Sequence, residues 1–312
     1  MSEGIKLKRS GSKKRENRAG NIIAYIILIP GGLIMVYPVL FIILASFFTP
    51  EEFNSTILNF FPIAENPTAV NWKNLIALGA DKAIRNYYFN SIWTTLYATF
   101  CSVITSFLGG YIFARLKFRG RNALFTFMLM TNMVPGIIAT LPTYLELVRF
   151  PFFGGNYVFT GGTGLFDCYG TYILLFGPCL NVMGTFLVKQ QIEALPNSYE
   201  EAAKVDGAGF FRIVFVIVLP LVKPMLAFIA INTSIGCWNN WATPFYYTES
   251  ADLQTIASAI SRQSIFAGRE GTIVDYPAIM SYSLLLTIPS VILFFCFQKY
   301  IIQGLVHVGL KG

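Results

Sequence analysis

Charge is scarce in this 312-residue chain. Asp, Glu, Lys and Arg make up only 12% of it against 54% hydrophobic residues, whereas an ordinary soluble domain is about 25% charged. That balance, with a mean hydropathy of +0.57, argues against a soluble globule. Histidine occurs once, at His307, and with no HExxH stretch and no paired buried carboxylates the constellations of a metal or acid–base enzyme have no candidates. His307 therefore reads as a packing or solvent-facing residue, not a metal ligand. Five cysteines, Cys101, Cys168, Cys179, Cys237 and Cys296, form no CxxC pair and are odd in number, so neither a disulfide framework nor a zinc site is indicated. No GxxxxGK[ST] phosphate loop is found either. The net charge of +7 comes with no RNA- or DNA-binding motif, and nucleic acid is not expected as a partner.

Long apolar runs are what the chain does have. A bilayer-crossing helix takes about 20 predominantly apolar residues, and six runs qualify: 21–48, 91–114, 123–147, 169–188, 213–236 and 276–297. They lack the alternation of barrel strands, so the expected fold is all-α, a polytopic membrane protein of six transmembrane helices. Pro30, Pro38, Pro135, Pro142, Pro178, Pro220, Pro224 and Pro289 interrupt the runs and suggest a bundle that bends. Basic residues in short flanking loops are retained in the cytoplasm. With both termini inside, 17 of the 23 Lys and Arg fall on that side and six outside. The positive charge is thus mostly a topology signal. Residues 1–20 form a basic cytoplasmic tail, expected to be disordered, whose role is orientation and attraction to anionic membrane lipid. Residues 21–312 form the membrane domain, with a cytoplasmic loop at 189–212.

That loop has internal design. Ser198 and Glu201 match the S-x-x-E capping box, Pro196 sets the entry, and Gly207 sits where a short helix over 199–206 closes in the left-handed conformation that costs glycine least. Ala202 and Ala203 give this helix a low-profile face another protein can approach, while Glu200, Glu201, Lys204 and Asp206 hold it at the water boundary. Further on, the ring of Pro220 crowds the carbonyl of Val216, so a kink is expected near there. Lever and hinge are adjacent.

Glu201-Ala202-Ala203, Gly207 and then Ile217, Leu219 and Pro220 resemble the EAA loop of binding-protein-dependent ABC importer permeases. The stretches SYEEAAKVDGAG, VLPLVKP, GCWNNWATP and the ending QKYIIQGLVHVGLKG resemble the maltose-type, carbohydrate-uptake branch. The resemblance spans 21–312. It implies a permease subunit in the cytoplasmic (inner) membrane, half of the translocation pathway of an ATP-driven di- or oligosaccharide importer. Its implied partners are a second homologous permease, a dimer of ABC ATPase subunits that use the ATP and Mg, and an extracytoplasmic solute-binding protein. The chain itself needs no cofactor. Glu200, Glu201, Ala202, Ala203, Asp206 and Gly207 are then the ATPase-coupling residues, Leu219 and Pro220 the hinge. The resemblance also implies that 298–312 reaches the ATPase interface.

Polar groups at membrane depth are costly and face cavities or other helices. Thr131, Asn132, Asn181, Asn232 and Thr233 are therefore candidates to line the pathway, with helix-to-helix hydrogen bonding as the alternative. Trp238, Asn239, Asn240 and Trp241 combine flat rings with amides, the chemistry that stacks on a sugar and bonds its hydroxyls. They also sit where tryptophans anchor helices at the outer interface, the favoured reading of the four. A permease for another solute such as a glycerol phosphate remains an alternative. An ion-coupled secondary transporter is disfavoured, because every Asp and Glu lies in a loop or near a span end, Glu146 being nearest to an exception.

Overall fold

The computed structural model describes residues 9–55, 63–65, 67–69, 72–73, 82–149, 164–177, 181–266 and 275–309. The glycine-rich segment 150–163, Pro178 and Cys179, and the side chains from 298 onward, His307 among them, lie outside that description. The described residues are mostly helical, joined by turns and irregular segments, with no strand among them. They fall into two compact units, Met1–Asn74 with Gly271–Leu284, and Leu75–Glu270 with Leu285–Gly312.

The first unit holds α1 (Arg9–Ala45) and α2 (Pro50–Ser55). The sequence expects disorder through residue 20. Instead the described part of the basic tail, from Arg9, continues directly into the first apolar helix. A small core of Ala45, Phe48 and Phe53 closes the end of α1, with the Phe48 and Phe53 rings edge to face at 5.7 Å. Trp72 Nε1 donates to Ser46 Oγ at 3.0 Å there.

The second unit is organised around α3 (Lys82–Arg115). It is followed by α4 (Arg121–Thr131), α5 (Gly136–Arg149), α6 (Tyr169–Phe176), α7 (Val182–Glu193) and α8 (Ser198–Val205). After these come α9 (Phe210–Trp238), α10 (Ala242–Tyr247), α11 (Ile256–Phe266) and α12 (Tyr276–Gly309), the last beginning in the first unit. Helix α3 packs chiefly on α7 and α9. Small residues permit this: a Cβ on Gly110 would lie 2.6 Å from Val188 Cγ1, and one on Gly184 would lie 2.2 Å from Ser106 Oγ. Close approach then brings hydroxyls together, Thr99 with Ser234 at 2.8 Å and Ser102 with Thr233 at 3.0 Å. Hydroxyl pairs of this kind join helices where neither water nor a hydrophobic force is available to do so.

Among the described residues four helices, Ala24–Ala45, Ile84–Arg115, Phe210–Trp238 and Tyr276–Phe297, are long and apolar enough to cross a membrane. The other two expected spans are broken. The run 123–147 is two helices, α4 and α5, meeting at 95°. Around Asn132 to Val134 the backbone tightens into i→i+3 bonds, just before Pro135, which has no N–H to continue the ladder. The run 169–188 is α6 and α7, because Asn181 starts a new helix: its Oδ1 accepts from the Gly184 N–H at 2.7 Å. Such a side-chain cap satisfies a backbone donor that a continuous helix would satisfy itself.

Candidate functional site: the surface helix α8

Helix α8 forms where the loop motif places it, but its start differs from expectation. Ser198 is the first helical residue and Asn197 the N-cap, with no side-chain capping bond; the Ser198–Glu201 capping box is not made. The far end follows the sequence closely. Gly207 has φ 77°, Ala208 N–H donates to Ala203 O at 2.9 Å and Gly207 N–H to Lys204 O at 3.0 Å. This is the paired arrangement by which a left-handed residue satisfies the last carbonyls of a helix.

The faces of α8 divide differently from the sequence reading. Ala203 and Glu200 are buried, while Tyr199, Glu201, Ala202, Lys204, Val205 and Asp206 are exposed, Val205 to 88%. Ala203 belongs to an apolar cluster with Phe107, Tyr111, Val188, Ile192, Ile213 and Val214. It therefore packs on its own bundle instead of offering a face to another protein. Glu200 turns inward too. Arg115, the last residue of α3, donates from Nε to Glu200 Oε1 at 2.6 Å and from Nη2 to Leu195 O at 3.0 Å. A cleft of about 400 Å³ opens beside this pair, lined by Tyr111, Arg115, Glu201, Lys204 and Phe210 among others. Sequence reasoning missed Arg115 because its partner lies 85 positions away; a lone basic residue ending an apolar run reads only as a topology signal.

Beyond α8 the hinge takes an unexpected form. Residues Ile213–Val218 are π-helical, with Leu219 N–H bonding Val214 O. Pro220 follows at the start of the regular helix. A wider i→i+5 turn is one way a helix accommodates the proline ring and its missing donor, so the irregularity lies over Ile213–Val218 where a simple kink at Val216 was expected.

The nine pathway candidates do not form one surface. Asn181 Nδ2 donates to Ser102 Oγ at 2.7 Å, and Ser102 also bonds Thr233, so Asn181 and Thr233 tie α7 and α9 to α3. Trp238 is buried at 5% exposure, its Nε1 donating to Leu286 O at 2.9 Å. It is therefore neither a lining residue nor an exposed interface anchor. Asn240, one residue ahead of the N-cap Trp241, accepts from Thr243 N–H in the first turn of α10 at 3.0 Å, and Asn239 bonds back to Ile235 O at 2.9 Å. Thr131, Asn132, Asn232 and Trp241 are exposed.

A polar cluster that the sequence did not disclose sits at the opposite end of α3 from α8. Asn90 Nδ2 donates to Asp252 O at 2.8 Å and Gln254 O at 3.0 Å. Arg262 bonds Gln254 Oε1 at 3.1 Å, Phe245 O at 3.0 Å and the Thr248 carbonyl. Asp167, at φ 53°, accepts from the Glu249 and Ser250 N–H groups at 2.7 and 2.8 Å and from Ser250 Oγ at 2.6 Å. Burial alone would raise its pKa, but the hydrogen bonds from Ser250 and Glu249, with the Arg262 charge, outweigh it and hold the carboxyl below its usual value.

The architecture is that of a multi-pass membrane protein with a short helix held at one end of the bundle that α3, α7 and α9 form. Residues 106–307 match the family described as "Binding-protein-dependent transport system inner membrane component", and the chain belongs to that family. It is 28% identical over 283 residues to the arabinooligosaccharides transport system permease protein AraQ of Halalkalibacterium halodurans, covering 90% of this chain and 93% of that one. It is also 28% identical to the galactooligosaccharides transport system permease protein GanQ of Bacillus subtilis, over 93% and 95% of the two chains. In fold it resembles a chain of a bacterial ABC transporter that imports the acidic polysaccharide alginate. The TM-score is 0.70 at 22% identity, over 92% of this chain and 98% of that one.

Proposed function

We propose that this chain is a permease subunit of an ATP-driven importer of di- or oligosaccharides, contributing half of the translocation pathway. The carrying observation is the family match over 106–307 together with α8, an EAA-bearing helix fastened to the bundle by one face and exposed on the other. The sugar assignment draws on relatives named for oligosaccharide transport. In this reading six spans cross the inner membrane, α4–α5 and α6–α7 each serving as a broken span, with both termini in the cytoplasm. A second permease completes the pathway, two ATPase subunits supply the work from ATP and Mg, and a solute-binding protein delivers the sugar.

The exposed face of α8, with Tyr199, Glu201, Ala202, Val205 and Asp206, docks on an ATPase subunit, while Glu200 and Ala203 secure the helix to the bundle. Closure of the ATPases moves α8 and, through it, the helices it is tied to. The π-helical stretch before Leu219 and Pro220 is where α9 yields. The test is reconstitution of the chain with its genomic neighbours in vesicles. Co-purification with an ATPase, and oligosaccharide uptake that stops without ATP, are expected. Uptake at equal rate without nucleotide would overturn the reading.

A further inference from the structure

We propose that Arg115 is the positioning residue that makes α8 and the end of α3 move as one body, so that a push on α8 reaches the central helix directly. The inference rests on the reading of α8 as the ATPase handle. One guanidinium grips two places, the Glu200 carboxylate on α8 and the Leu195 carbonyl in the turn before it. A planar fork holds the two acceptors in a fixed geometry, which the compact ammonium of a lysine on its flexible stem does not. Both side chains are largely withdrawn from water, at 15% and 11% exposure, where charge-assisted bonds are strong and the loss of either partner is severe.

The alternative routes out of α8 are compliant. Forward, backbone bonds close α8 at Gly207 and Ala208, but two of the three residues that lead on to Phe210 are glycines, Gly207 and Gly209, which leave the connection little side-chain stiffness. Sideways, Ala203 meets the cluster around Tyr111, Val188 and Ile213, and apolar contact is non-directional, so it permits sliding. The directional bonds between α8 and α3 converge on Glu200, where the Arg115 guanidinium is joined by the Tyr111 hydroxyl, and of the two only Arg115 also holds the turn before α8. From α3 the motion spreads through the close packing on α7 at Gly110 and Gly184 and the hydroxyl pairs to α9.

Two measurements test this. In the purified full chain, Arg115→Gln raises amide exchange across α8 while the middle of α3 is unchanged; unaltered exchange in α8 overturns the clamp. In the reconstituted transporter, Arg115→Gln lowers sugar moved per ATP about tenfold while hydrolysis stays within about twofold, within the range typical of coupling between sites. The double variant Arg115→Gln/Glu200→Gln is no worse than the single, and the exchanged pair Arg115→Glu/Glu200→Arg recovers part of the coupling, because it restores the ion pair but not the bond to the Leu195 carbonyl. Uptake and hydrolysis falling in parallel, with no recovery in the exchanged pair, would show a merely structural role. Should the wild-type chain never assemble with an ATPase, the handle reading fails, and the exchange measurement still decides the clamp.

Discussion

Helices α1 and α3 are both long enough to cross a bilayer, yet they are built for different surroundings. None of the apolar window of α1 is buried, whereas 44% of that of α3 is, although α3 is the less apolar at a mean hydropathy of 1.5 against 2.6. The order is the reverse of that in a water-soluble core. In lipid an apolar side chain gains little by leaving one hydrocarbon environment for another, so association depends on close packing and hydrogen bonds. Helix α3 supplies both: Gly110 lets α7 in, and Thr99, Ser102 and Asn90 bond across to other elements. Helix α1 presents Ile26, Leu33 and Met35 outward, a surface suited to lipid.

The sharpest way to break this comparison is to fill a glycine in each helix. Gly110→Val drives new atoms against Val188 and the Lys189 backbone and is expected to cost about 2–3 kcal/mol, as overpacking does. Gly31→Val meets nothing within 4 Å and should stay within about 0.5 kcal/mol. Thermal denaturation in detergent compares them, and equal midpoints would dissolve the distinction between α3 and α1. A smaller effect is expected at Gly207, where space is open but φ is +77°: Val there strains the backbone by about 1–2 kcal/mol, and Asn, which tolerates that region, loses much less. Uptake should follow the same order, with membrane insertion unchanged.

Smaller again is Ser102→Ala, which removes the hydroxyl shared by Asn181 and Thr233. Bonds of this kind inside membranes average about 0.6 kcal/mol, and the same denaturation measurement should resolve a loss of that order. A null result would leave the α3–α9 contact to packing and to the Thr99–Ser234 pair. The smallest effect belongs to the polar loops. Because the Asp167 carboxyl is held below its ordinary value of 3.8, it contributes stability above that value and loses it as pH falls through the lowered one. Asp167→Asn should flatten that acid-side step in a stability–pH profile, and an unchanged profile would remove Asp167 as its source.

Legibility in the sequence tracked the range of the interaction. The closing of α8 at Gly207 and the irregularity ahead of Pro220 each depend on residues within one or two turns, and both were visible as patterns. The N-terminal capping box was equally local in appearance yet did not form, since Ser198 entered the helix and Asn197 took the cap. Glu200 reads as a water-facing charge because nothing near it in sequence can bury it. Trp238 reads as a stacking or anchoring ring because its partner Leu286 is 48 positions on. Continuity of the apolar runs at 123–147 and 169–188 was a statement of composition, blind to the bend before Pro135 and to the new start at Asn181.

By itself, then, the sequence determined that the chain is helical, that several stretches partition into lipid, and where the short surface helix lies and ends, because hydropathy, proline and glycine act through the nearest few residues. Tertiary structure alone decided which face of that helix is free, which helices α3 packs on, and which polar groups are tied up. Those outcomes depend on pairs such as Arg115 with Glu200 and Ser102 with Asn181, whose members meet only when distant segments pack, and whose exclusion from water sets the strength of the bond.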